Sequence, residues 1–182
     1  MSARQHDPLR LDVAALAAEA QSVQGQWPMA TLERLWQSQS APQDWAAPPV
    51  VWSVRGEQRP VAGDAPQIWL HLQADATAWL ACQRCMQPYR IELSVKQSIH
   101  FVRGEDQAEA LDAESEHDVL ALARSMDLRL LVEDEFLLAL PIVPMHGTCP
   151  EAVVVPLPGL EPPPREHPFA ALGTLKVRAS KP

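Results

Sequence analysis

The sequence predicts an α+β fold in which N-terminal helices and one long helix pack on an antiparallel sheet. Between Val50 and Val102, apolar and polar residues alternate in segments rich in Val, Ile and Trp, which is typical of half-buried strands. On either side, Leu9 to about Val23 and Leu128 to about Leu140 carry apolar side chains at helical spacing. Because neither an apolar helix stripe nor one apolar sheet face buries its surface alone, we expect the long helix to cover one face of the sheet.

Local signals set the limits of the helices. The alanine-rich segment from Leu9 to about Val23 and a second pattern from Met29 to Gln37 predict two short N-terminal helices. Asp127 is a suitable N-cap for the helix that begins at Leu128, because its side chain accepts hydrogen bonds from first-turn N–H groups. Pro141 ends this helix, since proline has no N–H to donate and clashes with the preceding turn.

Two segments have patterns that do not predict packed structure. Gly104 to Asp118 contains seven acidic residues and no Lys or Arg, so we expect a solvated loop, followed by a short strand from Val119 to Ala123. Prolines cluster from Glu151 to His167, which favours polyproline conformation or disorder. The predicted organisation is one domain over residues 1–150 and a Pro-rich arm over residues 151–182 that ends in a short helical tail.

Composition limits the classes of function. The net charge of −8 and the pI near 5.2 argue against a protein that coats nucleic acid non-specifically, since such binding needs many Lys and Arg side chains. Three cysteines without a signal peptide indicate a reducing cytoplasm rather than a disulfide framework. The longest apolar run, Phe136 to Met145, is interrupted by Pro141 and Pro144 and is shorter than the roughly 20 residues that span a bilayer. We therefore expect no membrane partner.

The strongest candidates for metal ligands occur as two pairs of residues, here called brackets, each with two residues between its members. Cys82 and Cys85 frame a CQRC turn between two predicted strands, and His146 and Cys149 frame an HGTC turn about sixty residues later. A two-residue gap lets both side chains of each bracket converge on one ion, so the two turns predict a Cys3His zinc site that joins distant parts of one fold. The alternatives are a reduced CxxC turn with an unrelated third cysteine, or a redox pair, although redox CxxC motifs start helices rather than connect strands.

The acidic residues of the long helix are unusual. At about 100° per residue, Glu135 falls in the middle of the apolar face, whereas Glu133 and Asp134 fall on its flanks. A buried carboxylate needs a partner, so Glu135 is expected to pair with an arginine, cap a backbone end or hold a metal-ligand histidine. The alternative is that the helix is amphipathic about another axis and Glu135 is solvated.

Basic residues concentrate around the CQRC turn. Arg84, Arg90 and Lys96 stand near Tyr89, and a guanidinium plane with an aromatic ring is a combination that stacks on unpaired bases and grips phosphates. The alternative is ordinary solvated charge on a sheet. An enzyme finds little support, because the sequence has no Gly-rich phosphate loop, no nucleophile elbow and no HExxH motif.

Three segments together resemble one family. CQRCMQPY, then DLRLLVEDEFLLALPIVPMH with a cysteine shortly after, then HPFAALGTLK are similar in order and content to the YceD family of large ribosomal RNA subunit accumulation proteins, over about Asp7 to Lys176. The resemblance implies a small cytoplasmic protein that is needed for normal levels of 23S ribosomal RNA, through its processing, protection or assembly, without a known catalytic activity. The segment after the proline corner departs from the family pattern, since only His146 and Cys149 remain of a more Cys-rich stretch.

The expected function is therefore a non-catalytic ribosome biogenesis factor that contacts large-subunit precursor RNA or a pre-ribosomal particle. The expected contact surface is Arg84, Tyr89, Arg90 and Lys96, with Glu133, Asp134 and Glu135 organising the helix beside it. The alternative is an adaptor whose acidic loop and VEDE face bind a basic ribosomal protein or assembly factor, with no direct RNA contact. A nuclease or modifying enzyme is a third class.

Overall fold

A computed structural model of the protein describes residues 6–150, and its centre is one five-stranded sheet. The strands lie side by side in chain order, the first four are antiparallel, and the last is parallel to its neighbour. They are β1 (Ser22–Trp27), β2 (Val50–Arg59), β3 (Gln67–Ala81), β4 (Pro88–Val102) and β5 (Val119–Ala121). The antiparallel sheet predicted between Val50 and Val102 is confirmed.

Four α-helices accompany the sheet in the described residues. They are α1 (Val13–Ala18), α2 (Glu33–Gln37), α3 (Glu105–Asp112) and α4 (Leu128–Ala139), and short 3₁₀ turns at Pro8–Arg10 and Met29–Thr31 precede the first two. The α+β class is thereby confirmed. None of these helices is long and apolar enough to cross a membrane.

The N-terminal helix is shorter than predicted, because α1 ends at Ala18 and an edge strand follows. The N–H of Gln21 donates to the carbonyl of Leu16, and the N–H of Ala20 donates to that of Ala17. This pair of bonds is a Schellman ending, in which Ala20 takes the left-handed conformation (φ 49°) that glycine normally supplies. The expected helix as far as Val23 was wrong, since no glycine marks this stop.

The acidic stretch after β4 is not the loop that its charge predicted, because Glu105–Asp112 forms α3. Glu105 and Asp106 lie in the first turn, where carboxylates favour the positive end of the helix dipole. Ala108 anchors the helix by packing with Val102 and Val119 in a small cluster of its own. The strand predicted from Val119 to Ala123 is present but ends at Ala121.

The main core lies on one face of the sheet, as the sequence predicts. Buried residues of α1, α2 and α4 pack there against inward-facing residues of β2, β3 and β4; fully buried side chains include Leu16, Leu35, Phe136, Leu70 and Ile99. Helix α1 approaches β2 so closely that a Cβ on Gly56 would lie 2.5 Å from the backbone of Leu16 and Ala17. Glycine is therefore required at this contact.

The long helix begins and ends where its sequence indicates. Asp127 caps it by accepting a hydrogen bond from the N–H of Arg129 at 2.9 Å. At the other end, Leu140 has extended backbone angles and Pro141 follows. The predicted Pro-rich arm and helical tail lie outside the described residues, so the domain division stays a prediction.

Candidate metal centre

The CQRC turn joins β3 to β4. The N–H of Met86 donates to the carbonyl of Cys82 at 2.8 Å, and the N–H of Cys82 donates to the carbonyl of Gln87 at 3.0 Å. Met86 takes a positive φ of 61° in this tight turn. A third bond, from the N–H of Gln83 to the carbonyl of Pro144 at 2.9 Å, holds the segment after α4 against the turn.

This arrangement brings the four predicted metal ligands together. The Sγ atoms of Cys82, Cys85 and Cys149 and a ring nitrogen of His146 all lie within 4.8 Å of one another. The Sγ atoms of Cys82 and Cys149 are 4.0 Å apart, and the Sγ of Cys85 is 3.5 Å from Nδ1 of His146. Zinc bound tetrahedrally at about 2.3 Å from sulfur separates its sulfur ligands by roughly 3.8 Å. The cluster therefore has both the donor set and the dimensions of a structural zinc site.

The orientation of His146 also suits a ligand. Its Nε2 lies 3.0 Å from the backbone carbonyl of Pro88. A carbonyl oxygen only accepts hydrogen bonds, so Nε2 is the donor in this contact, and Nδ1 is the ring nitrogen that faces the sulfur atoms. Tyr89 packs edge-on against this imidazole, with ring centroids 5.4 Å apart.

Arg84 encloses the cluster from the solvent side. Its Nε donates to the Sγ of Cys149 at 3.0 Å, and its terminal nitrogen donates to the carbonyl of His146 at 2.9 Å. The contact with Cys149 is the main cause of the raised pKa of Arg84. Three thiolates and one Zn²⁺ carry a net charge of −1, which one guanidinium neutralises. The exposed side chain of Arg84 therefore lies where it could offset the charge of a zinc ion held by three thiolates.

The thiols differ in their readiness to ionise. Burial opposes ionisation of Cys82, but hydrogen bonds from the backbone N–H groups of His146, Cys85 and Arg84 outweigh it and lower the pKa of Cys82 to about 5. Burial and the neighbouring thiols raise the pKa of Cys85. The thiol of Cys82 therefore ionises readily, whereas that of Cys85 resists ionisation because it is partly buried and lies beside the other thiols. A bound divalent cation removes the repulsion between neighbouring thiolates.

The other predicted contact residues are spread over more than one surface. Arg90 follows the turn and forms an exposed ion pair with Glu92 at 2.7 Å. Lys96 is six residues further along β4, a distance of about 20 Å at strand spacing. Both alternate with the core residues Leu93 and Val95, so they lie on the face of the sheet opposite α4 and the main core, here called the open face because no part of the main core covers it in the described residues. The structure does not bring Arg90 and Lys96 together with the acidic helix residues.

The acidic residues of α4 have structural contacts that correct the predicted assignment. Glu133 was expected on the flank of the helix, but it is 3% exposed and reaches α2. Its Oε1 accepts hydrogen bonds from the N–H of Arg34 at 2.7 Å and of Leu35 at 3.2 Å, and its Oε2 accepts one from Nε of Arg34. The arginine pairing and backbone capping predicted for Glu135 are thus performed by Glu133. Sequence reasoning missed Arg34, which lies about a hundred residues away.

Asp134 and Glu135 differ in exposure. Asp134 is exposed and completes the pairing with Arg34 at 2.6 Å. Glu135 is buried, which confirms the burial read from the sequence and excludes its solvated alternative. Burial, and next the charges of Asp118 and Asp134, raise the pKa of Glu135, while a hydrogen bond from Gln97 partly offsets them.

The fold and the site define a class of protein: a small α+β domain whose sheet carries a Cys3His knuckle closed by a distant chain segment. Residues 70–176 match the family described as large ribosomal RNA subunit accumulation protein YceD, and the chain belongs to this family. It is 36% identical over 104 residues to the large ribosomal RNA subunit accumulation protein YceD of Haemophilus influenzae. That alignment covers 54% of this chain and 60% of the relative. No solved structure matches.

Proposed function

We propose that the protein is a non-catalytic factor in the accumulation of large-subunit ribosomal RNA, and that it contacts the precursor RNA or a pre-ribosomal particle in the cytoplasm. Membership of the YceD family is the observation that carries this proposal. The contacts of the most unusual residues support the non-catalytic part. Arg84 binds the cysteine cluster and Glu133 caps a helix, so both have structural partners rather than the geometry of catalytic groups.

The metal centre has a structural role in this proposal. Zinc bound by Cys82, Cys85, His146 and Cys149 fixes the segment after α4 beside the β3–β4 turn and holds Tyr89 in place. Four protein ligands leave no open coordination position, which is the pattern of structural rather than catalytic zinc. Of the predicted contact residues, Arg84 and Tyr89 contact this cluster directly, and Arg90 follows Tyr89 in β4 with its side chain on the opposite face of the sheet.

The second candidate is an adaptor that binds a basic ribosomal protein or assembly factor without touching RNA. The net charge of −8 favours it, as do the exposed carboxylates of α3. The basic residues of the open sheet face favour direct RNA contact. The two candidates differ in salt dependence, because contacts with phosphates weaken steeply as salt is added whereas an apolar protein interface does not.

Sedimentation of a tagged chain from its host separates these candidates. The RNA-contact proposal expects the chain to co-sediment with precursors of the large subunit at low salt and to be released as salt rises. Arg90→Glu with Lys96→Glu reverses two exposed charges of the predicted surface, and we expect it to abolish co-sedimentation. Arg84 is left intact because its replacement would disturb the cysteine cluster.

A matched control keeps the net charge equal. Arg10 and Arg124 are exposed and lie outside the sheet, so Arg10→Glu with Arg124→Glu changes the charge by the same amount and should still co-sediment. A chain that remains with one basic protein after ribonuclease treatment favours the adaptor. A chain that never sediments with large-subunit precursors contradicts both candidates.

A further inference from the structure

The open face of the sheet contains a shallow groove whose lining is unusual for an acidic protein. The groove has a volume of about 450 Å³ and crosses β1 to β4. Its charged and titratable lining residues are Arg55, His71 and Lys96, and no carboxylate is among its lining residues. In a chain with a net charge of −8, a groove that holds two permanent cations and no acid is a local exception.

Strand register explains how the groove is built. Two adjacent rows of paired residues cross the four strands: Ser22, Arg55, His71 and Ser98 form one row, and Gln24, Ser53, Gln73 and Lys96 form the other. All eight side chains lie on the face opposite the main core, because each alternates along its strand with core residues. Every one of them is a hydrogen-bonding group. The acids of this face begin outside the two rows, at Glu57 on one side and Asp75 on the other.

The groove is held in shape by hydrogen bonds at its rim. Nε2 of His71 lies 2.6 Å from Oε2 of Glu57, and Nδ1 lies 2.9 Å from Oγ of Ser98. Glu57 also contacts Arg59 at 3.3 Å and Arg55 at 3.6 Å. The Arg59 contact, followed by that of His71, lowers the pKa of Glu57. Its single negative charge is shared between the guanidinium groups of Arg55 and Arg59, so the rim keeps an excess of one positive charge.

We infer that this groove binds the sugar-phosphate backbone of single-stranded RNA, an inference that rests on the proposed function. Arg55 and Lys96 are separated by two strands across the sheet and by one row along it. The usual strand spacings then place their Cα atoms about 12 Å apart. Long side chains at that separation reach two phosphates of one extended strand. The serine and glutamine side chains between them donate and accept hydrogen bonds, which matches ribose hydroxyls as well as phosphate oxygens.

An acidic peptide is a weaker fit to the same groove. A peptide with many carboxylates would need many cations to bind it. Of the eight side chains in the two rows, only Arg55 and Lys96 are permanent cations, and the other six are one imidazole and five neutral amides or hydroxyls. The 2′-hydroxyls of RNA form hydrogen bonds with such neutral groups, and exposed sheet faces are known to bind unpaired RNA strands. The observations therefore favour RNA, and binding of an acidic peptide becomes an outcome that the test can detect.

The test is fluorescence anisotropy of the full chain with a labelled single-stranded oligouridine at low salt. We expect Arg55→Ala with Lys96→Ala to weaken binding at least tenfold. We also expect this variant to reduce the slope of log K against log salt by about 1.4, since each phosphate contact in a single strand contributes about 0.7. The control Arg10→Ala with Arg124→Ala removes the same charge elsewhere and should bind as the parent does.

Three results would overturn the inference. One is no oligouridine binding by the parent chain at low salt, and another is equal weakening by the groove variant and the control. The third is competition by polyglutamate as strong as that by unlabelled RNA, which would assign the groove to acidic peptides. None of these results depends on whether the chain sediments with large-subunit precursors. The inference about the groove and the proposed function can therefore be refuted separately.

Discussion

Replacing Glu133 tests whether the acidic helix motif is structural. Helix α2 has only five residues, and its N-cap position, Leu32, provides no side-chain hydrogen bond. The first-turn N–H groups of Arg34 and Leu35 are satisfied by Glu133 from α4 instead. Glu133→Ala leaves both donors without this acceptor and removes the negative charge from the positive end of the helix.

The expected loss of stability is about 3 kcal/mol. A hydrogen bond to a charged group contributes about 1.5–3 kcal/mol, and loss of a helix cap costs about 1 kcal/mol. The ion pair adds little, because the Arg34 side chain is 51% exposed, and such pairs contribute at most about 1 kcal/mol. These contributions overlap, so their sum is an upper limit. For a domain of this size, about 3 kcal/mol lowers the Tm by roughly 9 °C.

Urea denaturation monitored by circular dichroism measures the effect. Glu133→Gln keeps a neutral acceptor at Oε1 and should lose roughly half as much stability as Glu133→Ala. Asp134→Asn is the matched control, because Asp134 pairs with the same arginine but is exposed, and it should change stability by less than about 0.5 kcal/mol. If Glu133→Ala were as mild as Asp134→Asn, the capping interpretation would be wrong.

Two further predictions concern the metal centre and the buried carboxylate. Protein purified without a metal-affinity tag should contain about one zinc per chain by elemental analysis, and Cys85→Ser should lower this content sharply; a parent chain without zinc would remove the site. Glu135→Gln should stabilise the fold at pH 7, because burial raises the pKa of Glu135 above its ordinary value of 4.5. The folded state then binds the proton more tightly, so stability falls as pH rises from 4.5 through the raised pKa, and the advantage of the glutamine variant should vanish below pH 4.5. A constant advantage at both pH values would exclude ionisation as its cause.

Features that follow from short sequence patterns were predictable. Alternation identified the long strands, and Asp127 and Pro141 marked both ends of α4. The two cysteine brackets indicated a shared site because ligand spacing within a turn is a local property. The Schellman ending at Ala20 was missed because its usual signal, glycine, is absent. Helix α3 was missed because the many acidic residues of this segment indicated a solvated loop, although it also contains two alanines and a leucine that favour helix. In the structure, the contacts of Ala108 with Val102 and Val119 hold the helix in place.

Contacts between distant segments were not predictable. The pairing of Glu133 with Arg34 depends on how α2 and α4 meet, and helical periodicity favoured Glu135 for that role. The groove on the open face required the strand register as well as the alternation. Arg55, His71 and Lys96 come from three different strands, and only their pairing places them in adjacent rows.

The central claim, a role in large-subunit ribosomal RNA accumulation, is tested most directly by deleting the gene in its host. The measurement is the ratio of large- to small-subunit ribosomal RNA in total RNA from growing cells. The proposed function predicts that this ratio falls on deletion and returns to normal when the intact chain is supplied again. A ratio that is unchanged by the deletion would contradict the proposed function.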